Sequence, residues 1–508
     1  MTVTVEEVNK IVERRLLSMF ANVLIVIVAY EAESHLPELI VRLGNISQIR
    51  DTYSVLLLDD ASKDHTREYA EGLFKKAGFS KWLAVRNEQN QGYGGNQKVG
   101  YRYTLQSGKY THVALLHGDA QYPPEAIPIM VEKALETQAD VVLASRMWSI
   151  RSAWHGGMPY YKIIGNKLLT YIQNQLTKQN LSEYHTGMRL YSTELLARIP
   201  FELNSNGFDF DTEVLLQAFY VGAKVVETQI PTRYANEVCS VPGLRYAVDI
   251  IRDTFDYWLQ NHGIGCSLRF RDLKGKPWSY VDKTQVKYST HDMAVRFLIK
   301  QQICSILDLG CGLGYIGAKV KTQLPTTHWS GADLEGNPPR GYDQYWQCDF
   351  NKEIPPTNPY EYEAVLCLDI LEHLNEPEEF LLRLRQAYPS NQNTIFFFSA
   401  SNVAFISLRL GLLLGRFEYG DRGILNITHR RLMTRNAFIR MIRETGFTIE
   451  NVIGVPAPFQ LVFVRNWWTR ALTIAQLPFI KILPGLFSFQ TLIIARAMRG
   501  IPNVPGEL

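Results

Sequence analysis

Apolar residues fall along this chain in short continuous runs, each ending in an acidic or glycine-rich turn and followed by residues of helical period. Residues 24–29 form the first such run and predict a buried strand, with a helical stretch around 36–43 after it. Residues 55–58 predict a second strand ending in Asp59 and Asp60, and 113–116 a third ending in His117, Gly118 and Asp119. A fourth, 141–144, ends in Ser145 and Arg146. Strands alternating with helical stretches predict a mostly parallel α/β sheet, in which ligands bind beyond the carboxyl ends of the strands. These polar residues all fall at such ends.

The pattern then restarts. Residues 305–309 run into Gly310, Gly312, Gly314 and Gly317; 330–332 lead to Asp333, 346–348 to Asp349, and 364–368 to Asp369. Between the two segments, residues 261–288 are polar and Lys-rich, with Gly263, Gly265, Gly275 and Pro277, and read as a linker or short surface excursion. The expected fold class is therefore α/β in two domains, 1–262 and 290–508, joined by 263–289 and ending in an apolar helical extension. The two have different turn chemistry and are not duplicates. Near the start, Val5, Val8, Val12 and Leu16 recur at helical spacing among Glu and Arg, an amphipathic helix rather than a signal peptide. Residues 23–29 are too short to span a bilayer, which takes about 20 apolar residues, and 471–495 is interrupted by Pro478, Lys481 and Pro484.

Composition narrows the picture. With 508 residues, 46% hydrophobic and 20% charged, the chain is neither disordered nor fibrous, and its length exceeds one core. A net charge of +3 with no block of Lys or Arg argues against a nucleic-acid partner. The six cysteines include no C-x-x-C pair, which weakens zinc and disulfide-framework readings alike. The expectation is a cytoplasmic protein, peripheral at the inner face of a membrane. The apolar, Arg-flanked pieces at 403–414 and 461–497 fit either amphipathic helices resting on a bilayer or buried caps over a pocket.

Asp59, Asp60 and Asp119 sit at the mouths of different strands, where a diphosphate-bearing ligand and its divalent cation would lie. The run Gly92-Tyr-Gly-Gly-Asn96, with Gly94 and Gly95, would let backbone approach such a ligand closely. Each acid alone is as well explained as a helix cap. The series is more specific: L-L-L-D-D-A-S-K-D at 56–64, N-Q-G-Y-G-G-N at 90–96, H-G-D-A-Q-Y-P-P-E at 117–125, A-S-R at 144–146, H-T-G-M-R-L-Y at 185–191 and P-T-R-Y at 231–234. Over roughly 20–260 the chain resembles the family 2 inverting glycosyltransferases of the GT-A fold, closest to the dolichyl-phosphate mannose synthase-like branch. The resemblance implies a nucleotide-sugar donor whose nucleoside end is held by Asp59 and Asp60, and whose phosphates face Arg146 and Arg189. It implies Mg²⁺ or Mn²⁺ held by Asp119 and Gln121, with His117 in place of the usual first acid. A neutral imidazole suits a softer cation such as Mn²⁺. Asp209 and Asp211 fall where the family places acceptor-side acids, with Asp211 favoured as base; capping of the following helix is the plainer role. A polyprenyl-phosphate acceptor would need no base.

In the second segment, I-L-D-L-G-C-G-L-G-Y-I-G at 306–317 sets glycines where a strand turns into a helix. The recurring acids Asp308, Asp333, Asp349 and Asp369 suit a cationic ligand better than a dinucleotide, which needs one such acid. With A-D-L, C-D-F and L-D-I-L-E-H-L following in order, residues 290–455 resemble class I S-adenosylmethionine-dependent methyltransferases, with a Rossmann-like fold. The resemblance implies Gly310, Gly312 and Gly314 around the methionine part, Asp333 on the ribose, Asp349 on the adenine amine and Asp369 near the reactive methyl. A hydroxyl acceptor would need a base, and His373, placed at i+4 from Asp369 on a helix, and His429 in N-I-T-H-R-R are the candidates. Packed or solvent-facing histidines are the plainer alternative. The expected protein is a bifunctional enzyme that glycosylates a glycan or lipid-linked acceptor and methylates an acceptor. The alternatives are a polyprenyl-phosphate glycosyl synthase with an independent methyltransferase, and a silent sugar-nucleotide binder fused to an active methyltransferase.

Overall fold

The computed structural model describes residues 21–233, 243–263, 267–271, 273, 282–388, 393–463 and 466–498. The expected amphipathic helix around Val5–Leu16 lies outside the described residues. By packing, the chain divides into two units, Met1–Asn261 with Cys266–Pro277, and Trp278–Leu508 with His262–Gly265. Each is built around a seven-stranded sheet.

The first sheet comprises β1 (Val23–Ala29), β2 (Ser54–Asp59), β3 (Trp82–Arg86), β4 (His112–His117), β5 (Val141–Ser145), β6 (Arg189–Ser192) and β7 (Val225–Gln229) in the order β3-β2-β1-β4-β6-β5-β7. All seven residues of β1 are buried, because a strand covered on both faces has no polar side to alternate with. Only β6 runs antiparallel to its neighbours. The chain leaves β1 toward β2 and later returns to β4 on the other side, so a crevice opens at the carboxyl ends of β1 and β4. Four helices flank or support that crevice: α1 (Tyr93–Ser107), α2 (Tyr160–Thr177), α3 (Phe210–Tyr220) and α4 (Gly243–Asn261). Helix α3 is buried from Phe210 to Phe219, its acids included.

The second sheet comprises β8 (Ser305–Leu309), β9 (His328–Asp333), β10 (Gln344–Gln347), β11 (Ala364–Cys367), β12 (Ile395–Ser401), β13 (Phe447–Val455) and β14 (Gln490–Ala497), with α5 (Tyr315–Lys321) after β8. Its order is β10-β9-β8-β11-β12-β14-β13, and β14 is antiparallel to both neighbours. Phe447 packs edge-on against Phe396 and Phe398, at 5.1 and 5.0 Å between ring centroids.

The structure corrects three local expectations. His373 is not one helical turn beyond Asp369: Asp369 has φ +56° and only the short 3₁₀ turn Leu371–His373 follows, so the i+4 spacing places nothing. The apolar end of the chain is not a helical extension alone, since after the helices Trp467–Ala475 and Leu477–Ile482 it enters the sheet as the buried strand β14. Nor is 263–289 a loose tether throughout. Arg269, on the short helix Leu268–Arg271, pairs with Glu213 and Asp253, and Ser289 caps the helix Thr290–Lys300 by accepting from Asp292 N–H at 3.0 Å. The helix Ile406–Leu413 buries none of its residues. No helix among the described residues is long and apolar enough to cross a membrane.

Candidate functional site

At the carboxyl edge of the first sheet, Asp59 closes β2 and accepts from the Ser62 N–H (3.0 Å) and hydroxyl. Its second oxygen is buried without a hydrogen-bond partner, 3.7 Å from Arg86 Nε. Asp60 instead shapes the next loop, accepting from Gln91 N–H (2.8 Å), Gly92 N–H (2.9 Å) and Asn87 Nδ2 (2.8 Å). Gly92, with φ +78°, turns that loop into α1. A Cβ at Gly94 would fall 2.5 Å from Phe210 Cβ, and one at Gly95 would fall 2.9 Å from Gln91 Cβ. These two glycines therefore admit neighbouring protein rather than a ligand, which corrects their expected role.

His117, at the end of β4, meets the Tyr93 hydroxyl through Nε2 at 2.9 Å. Tyr93 donates in turn to Asp211 Oδ2 at 2.7 Å, and Gln97 Nε2 donates to Asp211 Oδ1 at 3.1 Å. Because Tyr93 gives its single proton to Asp211, its oxygen accepts from His117 Nε2–H, which fixes the tautomer and leaves the lone pair on Nδ1. Burial pushes the imidazole below its ordinary range, against the pull of Asp119 and Asp211, so the ring is neutral. Asp119 accepts from Gln121 N–H at 3.1 Å, a turn that keeps its carboxylate two residues from His117.

Asp209 does not join this group. It lies with Glu213 and Asp253, each offering an oxygen within 4.8 Å of the others, and Arg269 supplies the cation between the last two. Burial pushes Glu213 up to about 7 and Asp253 up to about 6, against the pull of Arg269.

The two arginines part company. Arg146 pairs with buried Glu183 (Nη2 to Oε1, 2.5 Å), donates to the His185 carbonyl (3.1 Å) and lies 5.3 Å from the Tyr122 ring centroid. Arg189 is fully buried and donates to the carbonyls of Tyr184 (2.7 Å), Thr186 (2.8 Å) and Asp211 (2.6 Å). A guanidinium so engaged cannot face a phosphate, and the expected role of Arg189 is corrected to holding the loop before β6 against α3.

In the second unit the turn after β8 runs through Gly310, Gly312 and Gly314, all with positive φ. Gly310 N–H donates to the Ala332 carbonyl and Gly312 N–H to Asp333 Oδ2, both at 2.8 Å. Because β10, β9, β8 and β11 are adjacent and parallel, Asp349, Asp333, the glycine turn and Asp369 line one edge. Asp349 accepts from Asn351 N–H and Nδ2, each at 3.1 Å. Asp308 is corrected: it is buried beneath the turn, accepts from the Tyr342 hydroxyl at 2.9 Å, and is pushed up to about 7 by burial. The Tyr342 ring fills the space where Cβ atoms on Gly314, Gly317 and Gly331 would stand.

Asp369 is surrounded by Lys283 Nζ (2.8 Å), Ser399 Oγ (2.6 Å) and Gln490 Nε2 (3.0 Å). Burial would raise its carboxyl, but Lys283 and His291 hold it well below the usual carboxylate range. The neighbouring Glu372 is buried, accepts from Ser401 Oγ at 3.1 Å, and is pushed up to about 7 by burial and by Asp369. His373 and His429 come together edge to face, 4.8 Å between centroids. His373 Nδ1 meets Thr428 Oγ1 at 3.1 Å, and His429 Nδ1–H donates to the Ile424 carbonyl at 2.8 Å, so His429 keeps a lone pair on Nε2. Burial pushes His429 down to about 4.

A family model described as glycosyl transferase family 2 matches residues 24–199, and one described as a methyltransferase domain matches residues 281–452. The chain carries a family 2 glycosyltransferase domain and a methyltransferase domain. It is therefore a transferase in both halves, with a GT-A-like fold in the first and a parallel-rich sheet in the second. The glycosyltransferase domain is similar to an uncharacterized protein of Methanocaldococcus jannaschii, 26% identical over 208 residues that span 40% of this chain and 86% of the relative. A UDP-N-acetylglucosamine–dolichyl-phosphate N-acetylglucosaminyltransferase of Methanococcus voltae is 23% identical over 220 residues, 41% of this chain and 85% of the relative. An undecaprenyl-phosphate mannosyltransferase of Micrococcus luteus is 26% identical over 214 residues, 41% and 82% respectively. A solved structure of glucosyl-3-phosphoglycerate synthase from Mycobacterium tuberculosis with phosphoglyceric acid covers 49% of this chain and 82% of its own, at 16% identity and a TM-score of 0.35.

Several residues of the two domains carry contacts that sequence reasoning missed. Tyr93 lies inside the glycine run at 92–96, but nothing in the sequence says that its hydroxyl bridges His117 and Asp211. Lys283 falls in the stretch read as linker, although a lysine just before the methyltransferase strands is the cation that meets Asp369. Glu183 and Tyr342 have no local signal at all, because their partners are 37 and 34 residues away in the chain.

Proposed function

We propose that the glycosyltransferase domain moves a sugar, with inversion, from a nucleotide-sugar donor to a polyprenyl phosphate at the inner face of a membrane. We propose further that the methyltransferase domain methylates a hydroxyl of a glycan or glycolipid with S-adenosylmethionine. One observation carries the choice of a phosphate acceptor. A hydroxyl acceptor needs a base with a free lone pair facing it. Asp211 is buried with both oxygens held by Tyr93 and Gln97, and Asp209 lies with Glu213 and Asp253. A phosphate arrives already anionic and needs no such group. The polyprenyl-phosphate relatives support the same choice.

The donor set fits a divalent cation of borderline softness. His117 Nδ1 and the Asp119 carboxylate would hold it, with Gln121 beside them, and the cation would neutralise the departing diphosphate. The buried oxygen of Asp59 that makes no hydrogen bond, though it lies within ion-pair reach of Arg86, offers an acceptor for an N–H of the donor's base. Arg146, held by Glu183 near the end of β5, is the better placed of the two arginines to face a phosphate.

In the methyltransferase domain the glycine turn and the acids along one edge fit an adenosine-bearing cation. Asp333 would hold the ribose hydroxyls, Asp349 the adenine amine, and the turn from Gly310 to Gly314 the methionine part. The cofactor supplies an electrophilic methyl on a sulfonium, and catalysis of in-line transfer is mostly positioning. His429 Nε2 is the lone pair available to take the acceptor's proton, with His373 packed against its ring. The helix Ile406–Leu413, none of whose residues is buried, and exposed Trp467 favour the membrane surface over buried caps for the helical parts of the apolar C-terminal pieces, β14 belonging to the sheet.

The test combines a panel of UDP- and GDP-sugars, short-chain polyprenyl phosphate, Mn²⁺ and labelled S-adenosylmethionine, with products read by mass spectrometry. The expected product is a glycosyl polyprenyl phosphate. Asp119→Asn lowers sugar transfer at least a hundredfold and leaves methyl transfer unchanged. Sugar transfer to a free sugar hydroxyl, with none to the polyprenyl phosphate, would overturn the acceptor assignment.

A further inference from the structure

The turn that follows β11 carries a buried acid for which the fold supplies no cation. Strands β11 and β8 are adjacent and parallel, so residues 368–373 run beside the glycine turn, and a Cβ on Gly310 would overlap the Ile370 side chain. Two residues further on, Glu372 is 2% exposed. Its Oε1 accepts from Ser401 N–H at 3.3 Å and from Ser401 Oγ at 3.1 Å. Its Oε2 is buried with no hydrogen-bond partner, and among the described residues the carboxyl joins no ion pair, the near lysine being taken by Asp369. A carboxylate in that state is costly to leave ionised, so it either holds a proton or meets a cation.

The neighbouring groups do not supply that cation. Lys283 meets Asp369 at 2.8 Å, and the two cancel. His291 Nε2 lies 3.7 Å from the same Asp369 oxygen, and burial pushes its ring down to about 4. His373 meets Thr428 Oγ1 and is lowered by burial; His429, at about 4, donates to the Ile424 carbonyl. All three imidazoles are therefore neutral at pH 7. Arg430 and Arg431 offer Glu372 their backbone N–H groups, which bond its carbonyl at 2.8 and 3.1 Å, while the Arg431 guanidinium pairs with Glu378. Burial and the Asp369 charge push Glu372 up to about 7, so the free protein holds it about half protonated at neutral pH.

We propose that Glu372 is the counter-charge of the cofactor's sulfonium and the final holder of the acceptor's proton. This rests on the reading of the second domain as a user of S-adenosylmethionine. The other acids of that edge are engaged elsewhere: Asp333 and Asp349 lie at β9 and β10, on the side assigned to the nucleoside, Asp369 has Lys283, and Asp308 is beneath the turn on the Tyr342 hydroxyl. Glu372 gives up its proton to water as a sulfonium settles beside it. In transfer the acceptor's O–H bond breaks, its oxygen bonds the methyl carbon, and the C–S electron pair stays on sulfur as a neutral thioether. Glu372 then faces no cation, and it takes up the proton that the acceptor first gave to His429. The charge enclosed in the site is the same before and after, so methyl transfer leaves no unpaired charge in a buried place.

The test titrates the full chain, wild type and Glu372→Gln, with S-adenosylmethionine and with the neutral thioether S-adenosylhomocysteine by calorimetry. Both ligands carry the same adenosine and amino-acid groups and differ at sulfur, and dividing wild-type affinity by variant affinity removes the ligands' own titration. That ratio should fall about tenfold for S-adenosylmethionine from pH 8 to pH 6, since a carboxyl at about 7 must first lose its proton, and stay within about twofold for the thioether. With S-adenosylmethionine saturating, Glu372 stays ionised, and the pH profile of methyl transfer is left to His429. A ratio that does not change with pH overturns the inference. So does an equal fall for both ligands, which places Glu372 against the amino-acid ammonium instead. If the variant fails to fold, the wild type alone decides. At pH 6.5 it should release about three-quarters of a proton on binding S-adenosylmethionine and almost none on binding the thioether, read from heats in two buffers of different ionisation enthalpy. Equal release overturns the inference. A folded protein that binds neither ligand fails the cofactor reading itself, whereas binding without the pH dependence fails Glu372 alone.

Discussion

Arg146 and Arg189 carry the same charge, yet only one of them has a guanidinium that reaches an edge. Sequence distinguishes them poorly, because both lie beside apolar runs, and what separates them is whether the strand beneath ends or begins at that residue. Arg189 opens β6 and its fork is taken up by three carbonyls; Arg146 follows β5 and leans on one carboxylate. Histidines separate in the same way. His429 donates through Nδ1 to a backbone carbonyl and is held by burial at about 4, so its base form is present at all ordinary pH values. If it takes the acceptor's proton, kcat/KM for methyl transfer stays flat from about pH 8 to pH 6 and falls only as pH drops through about 4. A break near 6.5 in the measured profile would assign the step to a histidine with an unshifted ring, whose ordinary value is about 6.5. His429→Gln should cost about a hundredfold in the same assay.

Strands buried on both faces were the most legible elements, since β1, β2, β4 and β5 carry unbroken apolar runs and β8 is interrupted only by Asp308. Short or mixed strands were not: β3 buries one residue of five and β6 begins with an arginine, so neither offers a run to see. Turn glycines were legible as turns but not as to what they clear. Gly310 combines φ +77° with a Cβ position that would overlap the Ile370 side chain, so any larger residue meets backbone strain of about 1–2 kcal/mol and a clash together. Gly310→Val should therefore weaken S-adenosylmethionine binding at least a hundredfold by calorimetry. Near-normal binding would show that the turn is not part of the cofactor niche. The acids at strand ends were found from sequence as positions, whereas their partners, Lys283 for Asp369 and Tyr342 for Asp308, come from elsewhere in the chain and emerge only from the fold.

Each domain has its own sheet, core and candidate site, so damage to one should stay there: Gly310→Val should leave sugar transfer at the wild-type rate, as Asp119→Asn leaves methyl transfer. The division into two α/β units was readable because the strand-and-turn pattern visibly restarts. The sheet order at the far edge was not, because β14 is the last strand in sequence yet lies between β12 and β13. Ser401 Oγ and Gln490 Nε2 tie Glu372 and Asp369 to that edge. A chain stopped after Phe489 should consequently lose methyl transfer and the methyltransferase domain's cooperative melting, while sugar transfer persists. The placement of β14 also has a bearing on synthesis. As the polypeptide leaves the ribosome, β12 and β13 emerge with a one-strand gap between them, and their unpaired backbones stay open to wrong partners until the final strand is released. The glycosyltransferase half is by then long since out of the exit tunnel, so the second half's maturation is the step at which a chaperone would have something to hold.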